Sequence, residues 1–231
     1  MFAVWQCLVN KATPFDLPDS LYNRAMPLSP LPVSFYNRSV FDVARSLLGA
    51  RLVREQGGRR AGGLITEVEA YAGESDLACH ARAGRTPRTE VMYGQPGRAY
   101  MYFIYGMHWM FNVVAEPEGS PCAVLVRAIL PEEGLDAIAQ RRGSARPRDW
   151  TNGPARLCQA LDIDGRLNGA DLTDPLGSLV IEEGLPVPEE SILIGPRVGI
   201  DSVPEPWRSK PWRMRVDLAK WKAAQQNQPQ L

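Results

Sequence analysis

The sequence predicts a single α+β domain, in which a mainly antiparallel, curved sheet carries flanking helices and a protruding β-hairpin. Strand-like runs come in consecutive groups rather than alternating with helices, which is typical of antiparallel sheets. The chain has 231 residues, of which 45% are hydrophobic, and such a chain can bury one full core. No apolar run reaches the roughly 18 residues that a membrane span requires, so we expect no membrane association.

The helices and strands are predicted from local signals. Ser39 and Asp42 resemble a capping box, apolar residues then recur at helical spacing, and Gly49 ends the segment. Pro131 and the two acids after it predict the start of a second helix, and Pro154 opens a short third one. Strand-like runs fall at residues 50–54, 62–71, 98–105, 109–116 and 122–130, with shorter ones at 178–182 and 212–216.

The domain is predicted to occupy residues 34–216. Residues 1–33 contain five prolines and no sustained periodicity, so we expect a loosely ordered N-terminal extension. Its apolar start lacks a basic segment and a small-residue cleavage site, and it does not resemble a signal peptide. Residues 217–231 form a C-terminal tail that is helix-prone at first and polar at its end.

Cysteine spacing and charge exclude several classes of site. The four cysteines, Cys7, Cys79, Cys122 and Cys158, lie far apart and form no C-x-x-C pair. We therefore expect no metal site and no disulfide framework, and free cysteines suit the reducing cytoplasm. Acidic and basic residues number 26 each, and a net charge of zero is not by itself typical of a nucleic-acid-binding protein.

The basic residues are mostly arginine. Only 4 of the 26 are lysines, and no lysine occurs between Ala12 and Ser209. Basic residues cluster at 82–88, 141–148 and 208–215. Arginine binds phosphate bidentately and stacks on flat rings, although a GC-rich genome is the simpler explanation of the bias.

The predicted strand at residues 62–71 carries two acids on one face. Alternation places Ile65, Glu67, Glu69 and Tyr71 together. A buried carboxylate without a partner is costly, so the acids must be paired, solvated or functional. An edge strand with a solvated face and arginine partners explains the spacing as well as a functional site does. Tyr71 on the same face, with a histidine nine residues downstream, favours the functional interpretation.

The two histidines do not indicate metal chemistry. His80 and His108 both lack the H-x-E pattern of zinc deaminases. A lone histidine is more often structural than catalytic, and His108 is expected to be structural on its pattern alone.

A tyrosine is predicted at the tip of a hairpin. Gly106 lies between two strand-like runs and predicts a turn beside Tyr105. An exposed aromatic ring there suits insertion into a partner, and proteins that bend DNA push such wedges between base steps.

Taken in order, these segments resemble the alkyladenine (3-methyladenine) DNA glycosylase family over about residues 34–216. The matching segments are Ile65–Tyr71, His80 with Gly84–Arg88, Tyr102–Met107, Asn112, Val126–Ala128, Gly153–Leu161 and Arg197–Gly199.

The resemblance implies a role for each matching residue. Glu69 corresponds to the acid that deprotonates a water aimed at the sugar C1′, while Arg127 and the Val198 backbone hold that water. Glu67 is expected to have a structural pairing role. The other implied positions are a base-binding pocket of Tyr71, His80, Tyr102, Asn112 and Ala70, an intercalating Tyr105, and DNA contacts at Met107, His108, Arg85 and Arg88.

The resemblance implies a monofunctional DNA glycosylase of base excision repair, working as a monomer without a cofactor in the cytoplasm at the bacterial nucleoid. Its partner would be double-stranded DNA containing damaged purines, alkylated or deaminated. Glycosylases that also cut the strand use an amine to form a Schiff base, and the long lysine-free stretch predicts that this chain leaves an abasic site.

Two alternatives remain open from the residues themselves. Glu67 and Glu69 could act as an acid/base pair in a hydrolase of free nucleosides or small glycosides. A non-catalytic nucleic-acid-binding module is the other, with both acids merely paired to arginines.

Overall fold

The computed structural model describes residues 29–226, and residues 1–28 and 227–231 lie outside it. Most of the predicted extension at 1–33 is therefore outside the described residues, and the domain bounds stay a prediction. The single α+β domain with a mainly antiparallel sheet is confirmed. Across residues 29–226, no helix is both long and apolar enough to cross a membrane.

Eight strands form one open sheet. Its order is β3-β4-β5-β2-β1-β6, with β8 beside β2 and β7 beside β8, and every pairing is antiparallel. The strands are β1 (Arg51–Gln56), β2 (Arg59–Ala72), β3 (Ala99–Ile104), β4 (His108–Ala115), β5 (Cys122–Glu133), β6 (Leu179–Glu182), β7 (Ile192–Gly195) and β8 (Arg213–Val216).

Within residues 29–226, five α-helices accompany the sheet. They are α1 (Val33–Tyr36), α2 (Val40–Leu47), α3 (Leu135–Arg142), α4 (Pro154–Leu161) and α5 (Leu218–Gln226). Ser39 caps α2 by accepting the N–H of Phe41 at 3.3 Å, and Gly49 follows the helix with φ +83°, which a residue without Cβ adopts readily. The predicted starts of α2 and α4 are confirmed. The short elements α1 and β7 are not predicted from the sequence.

The predicted helix start at Pro131 is wrong. β5 continues through Pro131 to Glu133, and α3 begins only after Gly134, whose φ is +65°. Pro131 lies opposite Gly63, next to a register shift in the β2–β5 ladder. A proline is tolerated at such a bulge because its missing N–H is not required for pairing.

β2 is the central strand, and its alternation is interrupted. Ile65 lies opposite Ile129, Glu67 opposite Ala128, and Val68 opposite Val126. One extra residue is thus inserted in each strand, Thr66 in β2 and Arg127 in β5. A bulge redirects the side chains that follow it, and Ile65 belongs to the main hydrophobic core. The predicted face of four residues therefore begins at Glu67, and Ile65 is not part of it.

The two faces of the sheet have different coverings. The main core contains buried side chains of α2 and α4 together with Val68, Val124 and Phe111 of the sheet. A smaller cluster is built on Tyr100, Val114 and Ala123, whose neighbours Phe111 and Val124 point the other way by strand alternation. The candidate site lies on the face of this smaller cluster.

Candidate active site

Strand register brings residues from five strands into one row. Tyr100 lies opposite Asn112, Asn112 opposite Leu125, Leu125 opposite Glu69, and Glu69 opposite Arg213. Directly paired residues share a face of the sheet. Three strand spacings separate Tyr100 from Glu69, which is roughly 14 Å. That span is wide enough for a flat ring between the aromatic strand and the carboxylate strand.

Glu69 is fully buried and is held by three donors. Its side chain has 0% exposure. The carboxylate oxygen Oε1 accepts the backbone N–H of Val198 at 2.8 Å and lies 3.2 Å from the guanidinium Nη1 of Arg127. The other oxygen, Oε2, accepts the hydroxyl of Tyr71 at 3.0 Å. Both oxygens are therefore fixed in position.

Burial raises the pKa of Glu69, because a charged carboxylate loses its hydration. Arg127, the Val198 N–H and the Tyr71 hydroxyl oppose that rise by stabilising the charged form. A carboxylate with a raised pKa is a stronger base than one in water, so this environment suits proton abstraction.

Glu67 is tied to two arginines. Arg127 donates its Nε–H to Glu67 Oε1 at 2.8 Å, and Arg213 lies 3.4 Å from the same oxygen. Arg127 thus bridges both acids, and two positive charges balance two negative ones. The acids do have arginine partners, but β2 is a central strand, so the edge-strand interpretation is wrong.

The loop that carries Val198 is fixed by a buried ion pair. Arg197 and Asp76 both have 0% side-chain exposure, and Arg197 Nη2 lies 2.9 Å from Asp76 Oδ1. Asp76 also accepts the backbone N–H groups of Ala72 and Ala78. One carboxylate therefore joins the end of β2, the following loop and the Val198 loop.

Ala70 does not line the site. Its side chain lies in the main core, on the face opposite Glu69. Its backbone N–H donates to Trp212 at 2.9 Å, and its carbonyl accepts from Arg197 at 3.0 Å. The predicted pocket contact at Ala70 is therefore corrected, because strand alternation turns its side chain away from the pocket.

His80 packs against the tyrosines of β3. Its ring meets the Tyr102 ring edge-on at 4.5 Å between centroids, and its Nδ1 lies 2.9 Å from the Tyr100 hydroxyl. Arg88 approaches the His80 Nε2 at 3.4 Å and stands over the Tyr102 ring at 5.7 Å. Burial, followed by Arg88 and Arg82, lowers the pKa of His80 to about 4. The imidazole is therefore neutral at physiological pH.

Asn112 is buried between the two halves of the row. Its side-chain amide donates to the carbonyl of Tyr100 at 3.1 Å. The amide is thereby oriented, in the same row as Glu69 and on the same face.

The β3–β4 hairpin ends in a strained turn. Tyr105 has φ +54° and Gly106 φ +66°, and the N–H of Met107 donates to the carbonyl of Ile104 at 3.2 Å. Positive φ at both central residues is the hallmark of a type I′ turn. A bulky residue rarely adopts that conformation, yet Tyr105 does so with its side chain 79% exposed. Met107, at 67%, and His108 are exposed beside it.

The family model of methylpurine-DNA glycosylase matches residues 34–219.

The chain belongs to the methylpurine-DNA glycosylase family.

Relatives bear the provisional name 3-methyladenine DNA glycosylase. A protein of Myxococcus xanthus is 50% identical over 186 residues, which cover 80% of this chain and 89% of that relative. Another, of Carboxydothermus hydrogenoformans, is 49% identical over 172 residues, covering 74% of this chain and 89% of the relative. A third, of Methanocella arvoryzae, is 46% identical over 184 residues, covering 79% and 90%.

In this member of the glycosylase family, most of the predicted site residues lie near one face of the sheet. Glu69 directly contacts Arg127, Val198 and Tyr71. The rings of His80 and Tyr102 pack together at the other end of the row. Tyr105, Met107 and His108 lie together at the hairpin tip.

Two predicted DNA contacts have other partners. Arg85 forms an exposed ion pair with Glu90 at 2.7 Å and stands over the Tyr93 ring. Arg88 is exposed and borders His80 and Tyr102.

Sequence reasoning missed three residues that hold the site together. Asp76, Arg197 and Arg213 contact the carboxylates, or the loop that positions them, from segments distant in sequence. No local pattern marks such pairings. Among residues 29–226, no group of three or more His, Cys, Asp or Glu residues could hold a metal ion.

The pKa of His80 gives a testable dependence of stability on pH. Its value of about 4 lies below the ordinary 6.5, so the unfolded chain binds a proton between these pH values that the folded protein does not. The contribution is complete above pH 6.5 and is lost as pH falls toward 4. As the pH falls from 6.5 to 4, we expect the Tm of His80→Gln, measured by calorimetry, to decrease less than the Tm of the parent protein. Parallel Tm curves for the two proteins would contradict a neutral, buried His80.

Proposed function

We propose that this chain is a monofunctional DNA glycosylase that flips damaged purines out of double-stranded DNA and removes them by water attack at C1′. An abasic site remains. The observation that carries the proposal is Glu69, a fully buried carboxylate fixed by Val198, Arg127 and Tyr71 on the sheet face that also carries Tyr100 and Asn112. We further propose that the protein acts as a monomer in the cytoplasm, at the nucleoid.

In the chemical step, Glu69 accepts a proton from the attacking water. The water oxygen forms a bond to C1′, the glycosidic bond breaks, and its electron pair leaves with the base. Arg127 touches both acids and orients the carboxylate toward the water. The N–H of Val198 is already donated to Glu69, so a contact between Val198 and the water would use the Val198 carbonyl. No covalent intermediate with the protein is required.

The base would be enclosed by Tyr71, His80 and Tyr102. Alkylation at N3 or N7 places a positive charge on the purine, which favours stacking on tyrosine faces and makes the base a good leaving group. A neutral His80 adds no repulsion to such a base. Candidate substrates are 3-methyladenine, 7-methylguanine, hypoxanthine and ethenoadenine, with Asn112 discriminating against the exocyclic amine of guanine.

Tyr105 would fill the gap that the flipped nucleotide leaves in the duplex. It is the most exposed aromatic residue of the hairpin and sits in a rigid turn, and extrusion of a base costs unstacking energy that an inserted ring offsets. Met107 and His108 would flank it along the strand, and Arg85 and Arg88 would contact DNA near the pocket rim.

The two alternatives account for less of this geometry. A hydrolase of free nucleosides would need Glu67 as a proton donor to the substrate, but its Oε1 already contacts Arg127 and Arg213. Such an enzyme would not need the exposed Tyr105. A binding module would not need a buried carboxylate that is held by three donors.

A panel of duplexes tests the proposal, each carrying one of the four candidate bases, with undamaged duplex and free nucleosides as controls. We expect base release from at least one lesion duplex and none from the controls. Release from free nucleosides at an equal rate would favour the hydrolase, and no release from any substrate would favour the binding module.

The same reactions test the absence of strand cleavage. No lysine lies between Ala12 and Ser209, and Lys210 is stacked on Trp207 at 3.6 Å. We therefore expect intact strands at neutral pH and no protein–DNA adduct after borohydride treatment. A trapped adduct would show that an amine attacks C1′.

A further inference from the structure

Two cationic side chains and two tryptophan rings are packed behind Tyr71. The Arg197 guanidinium stands over the Tyr71 ring at 4.6 Å and over the Trp212 ring at 4.9 Å. The Lys210 ammonium lies 4.3 Å from the Trp212 ring and 3.6 Å from the Trp207 ring, and these two rings meet edge-on at 5.8 Å between centroids. Of these rings, Tyr71 is the one that contacts the candidate site, because its hydroxyl donates to Glu69.

The Arg197 guanidinium is held over the Tyr71 ring. Its side chain is fully buried, and the Asp76 carboxylate holds both terminal nitrogens of the guanidinium. One face of Tyr71 is therefore permanently covered by a cation, and a stacked base has only the other face. The guanidinium is the charged group that lies over the ring, and the Asp76 carboxylate bound to it compensates its charge in part.

A cation behind a ring changes what the front face attracts. An aromatic face binds cations through its negative quadrupole, and a second cation behind the same ring opposes that attraction. A base stacked at about 3.5 Å on the free face would lie roughly 8 Å from the guanidinium, close enough for charge repulsion in a partly desolvated site. A neutral base experiences little of this repulsion.

We propose that the Asp76–Arg197 pair sets the relative affinity of the pocket for positively charged and neutral purines, by fixing a partly compensated cation behind Tyr71. This inference rests on the proposed function and specifies it. With the pair present, the pocket prefers charged alkylated bases less strongly than it would with no cation behind Tyr71. Neutral lesions can therefore compete for the pocket. Asp76 and Arg197 are thus specificity-determining residues that act through Tyr71.

Two variants change the charges behind Tyr71 in different ways. Asp76→Asn removes the counter-charge and leaves Arg197 positive. Asp76→Asn combined with Arg197→Gln removes both charges and keeps hydrogen-bonding groups. The matched control is Arg60→Gln with Glu182→Gln, which neutralises an ion pair of 2.9 Å joining the other end of β2 to β6.

The measurement is Kd for duplexes that carry 7-methylguanine or ethenoadenine, each on a 2′-fluorinated sugar that resists hydrolysis. The readout is the affinity for the charged base divided by the affinity for the neutral one. We expect Asp76→Asn to lower this ratio about tenfold and the double variant to raise it about threefold. The Arg60/Glu182 control should leave the ratio unchanged, and calorimetry verifies that each variant is folded.

A merely structural role predicts a different result. Loss of packing would weaken both affinities together, so an unchanged ratio, or a shift in the same direction for both variants, overturns the inference. If the double variant does not fold, the sign of the Asp76→Asn shift alone decides, because a rise or no change refutes the inference. A parent protein that binds neither lesion duplex more tightly than undamaged DNA also overturns the inference, whereas the absence of base release from all four lesion duplexes would refute the proposed function.

Discussion

Glu69→Gln is expected to reduce base release about 1000-fold while leaving lesion binding within about threefold. Glutamine has the shape of glutamate but cannot accept the proton of the attacking water. Its carbonyl oxygen can still accept from Val198 and Arg127, and its amide can donate to Tyr71, whose hydroxyl is able to accept. The variant should therefore fold. Single-turnover release from a hypoxanthine duplex, with binding measured in parallel, gives both quantities.

Glu67→Gln is the matched control for this prediction. It replaces an acid two residues away on the same strand face, one that contacts Arg127 but not Val198. We expect a loss of about tenfold, through a less well oriented Arg127. Base release by Glu69→Gln at the parent rate would exclude Glu69 as the general base, and equal losses in the two variants would assign the effect to the charge of the cluster.

Tyr105→Ala is expected to weaken capture of the flipped nucleotide in duplex DNA about 100-fold, since the energy of unstacking a base step is a few kcal/mol. Single-stranded DNA has no stacked partner strand to hold apart, so the loss there should stay below about threefold. Release under single-turnover conditions at subsaturating protein, on matched duplex and single-stranded substrates, separates the two values.

Leu176→Ala is the control for an exposed apolar side chain, because Leu176 is 92% exposed and lies outside the hairpin. It should not change release from either substrate. If Tyr105→Ala loses the same factor on duplex and single-stranded DNA, Tyr105 is not a wedge and instead contributes a general contact.

Features of the fold that depend on a few neighbouring residues could be predicted from the sequence. Ser39 marked the start of α2 through its cap, and Gly106 marked the hairpin turn through its freedom of φ. Glu69 and Tyr71 could be placed on one face because strand alternation is local. Each of these features depends on sterics or hydrogen bonds within a few residues.

What could not be predicted depends on pairing between distant segments. Pro131 resembles a helix start in the sequence, whereas its place in β5 depends on pairing with Gly63 in another strand. Asp76 and Arg197 are 121 residues apart in the chain, and nothing near either one announces the other. Ala70 is a different case, because the local alternation that places Glu69 and Tyr71 on one face already predicts the opposite face for its side chain.

The paired bulges at Thr66 and Arg127 make the site sensitive to single-residue insertions and deletions in a particular way. Deleting Thr66 alone would put the stretch from Glu67 to Tyr71 one step out of register with β5, and the acids would exchange places with core residues. Deleting Arg127 alone would cause the same mismatch from the other strand. Deleting both restores the ladder, and the product would be a sheet of sound register without the arginine that bridges the two acids. A single-residue deletion at either bulge is therefore compensated in register only by a deletion at the other, and that pair removes the bridge.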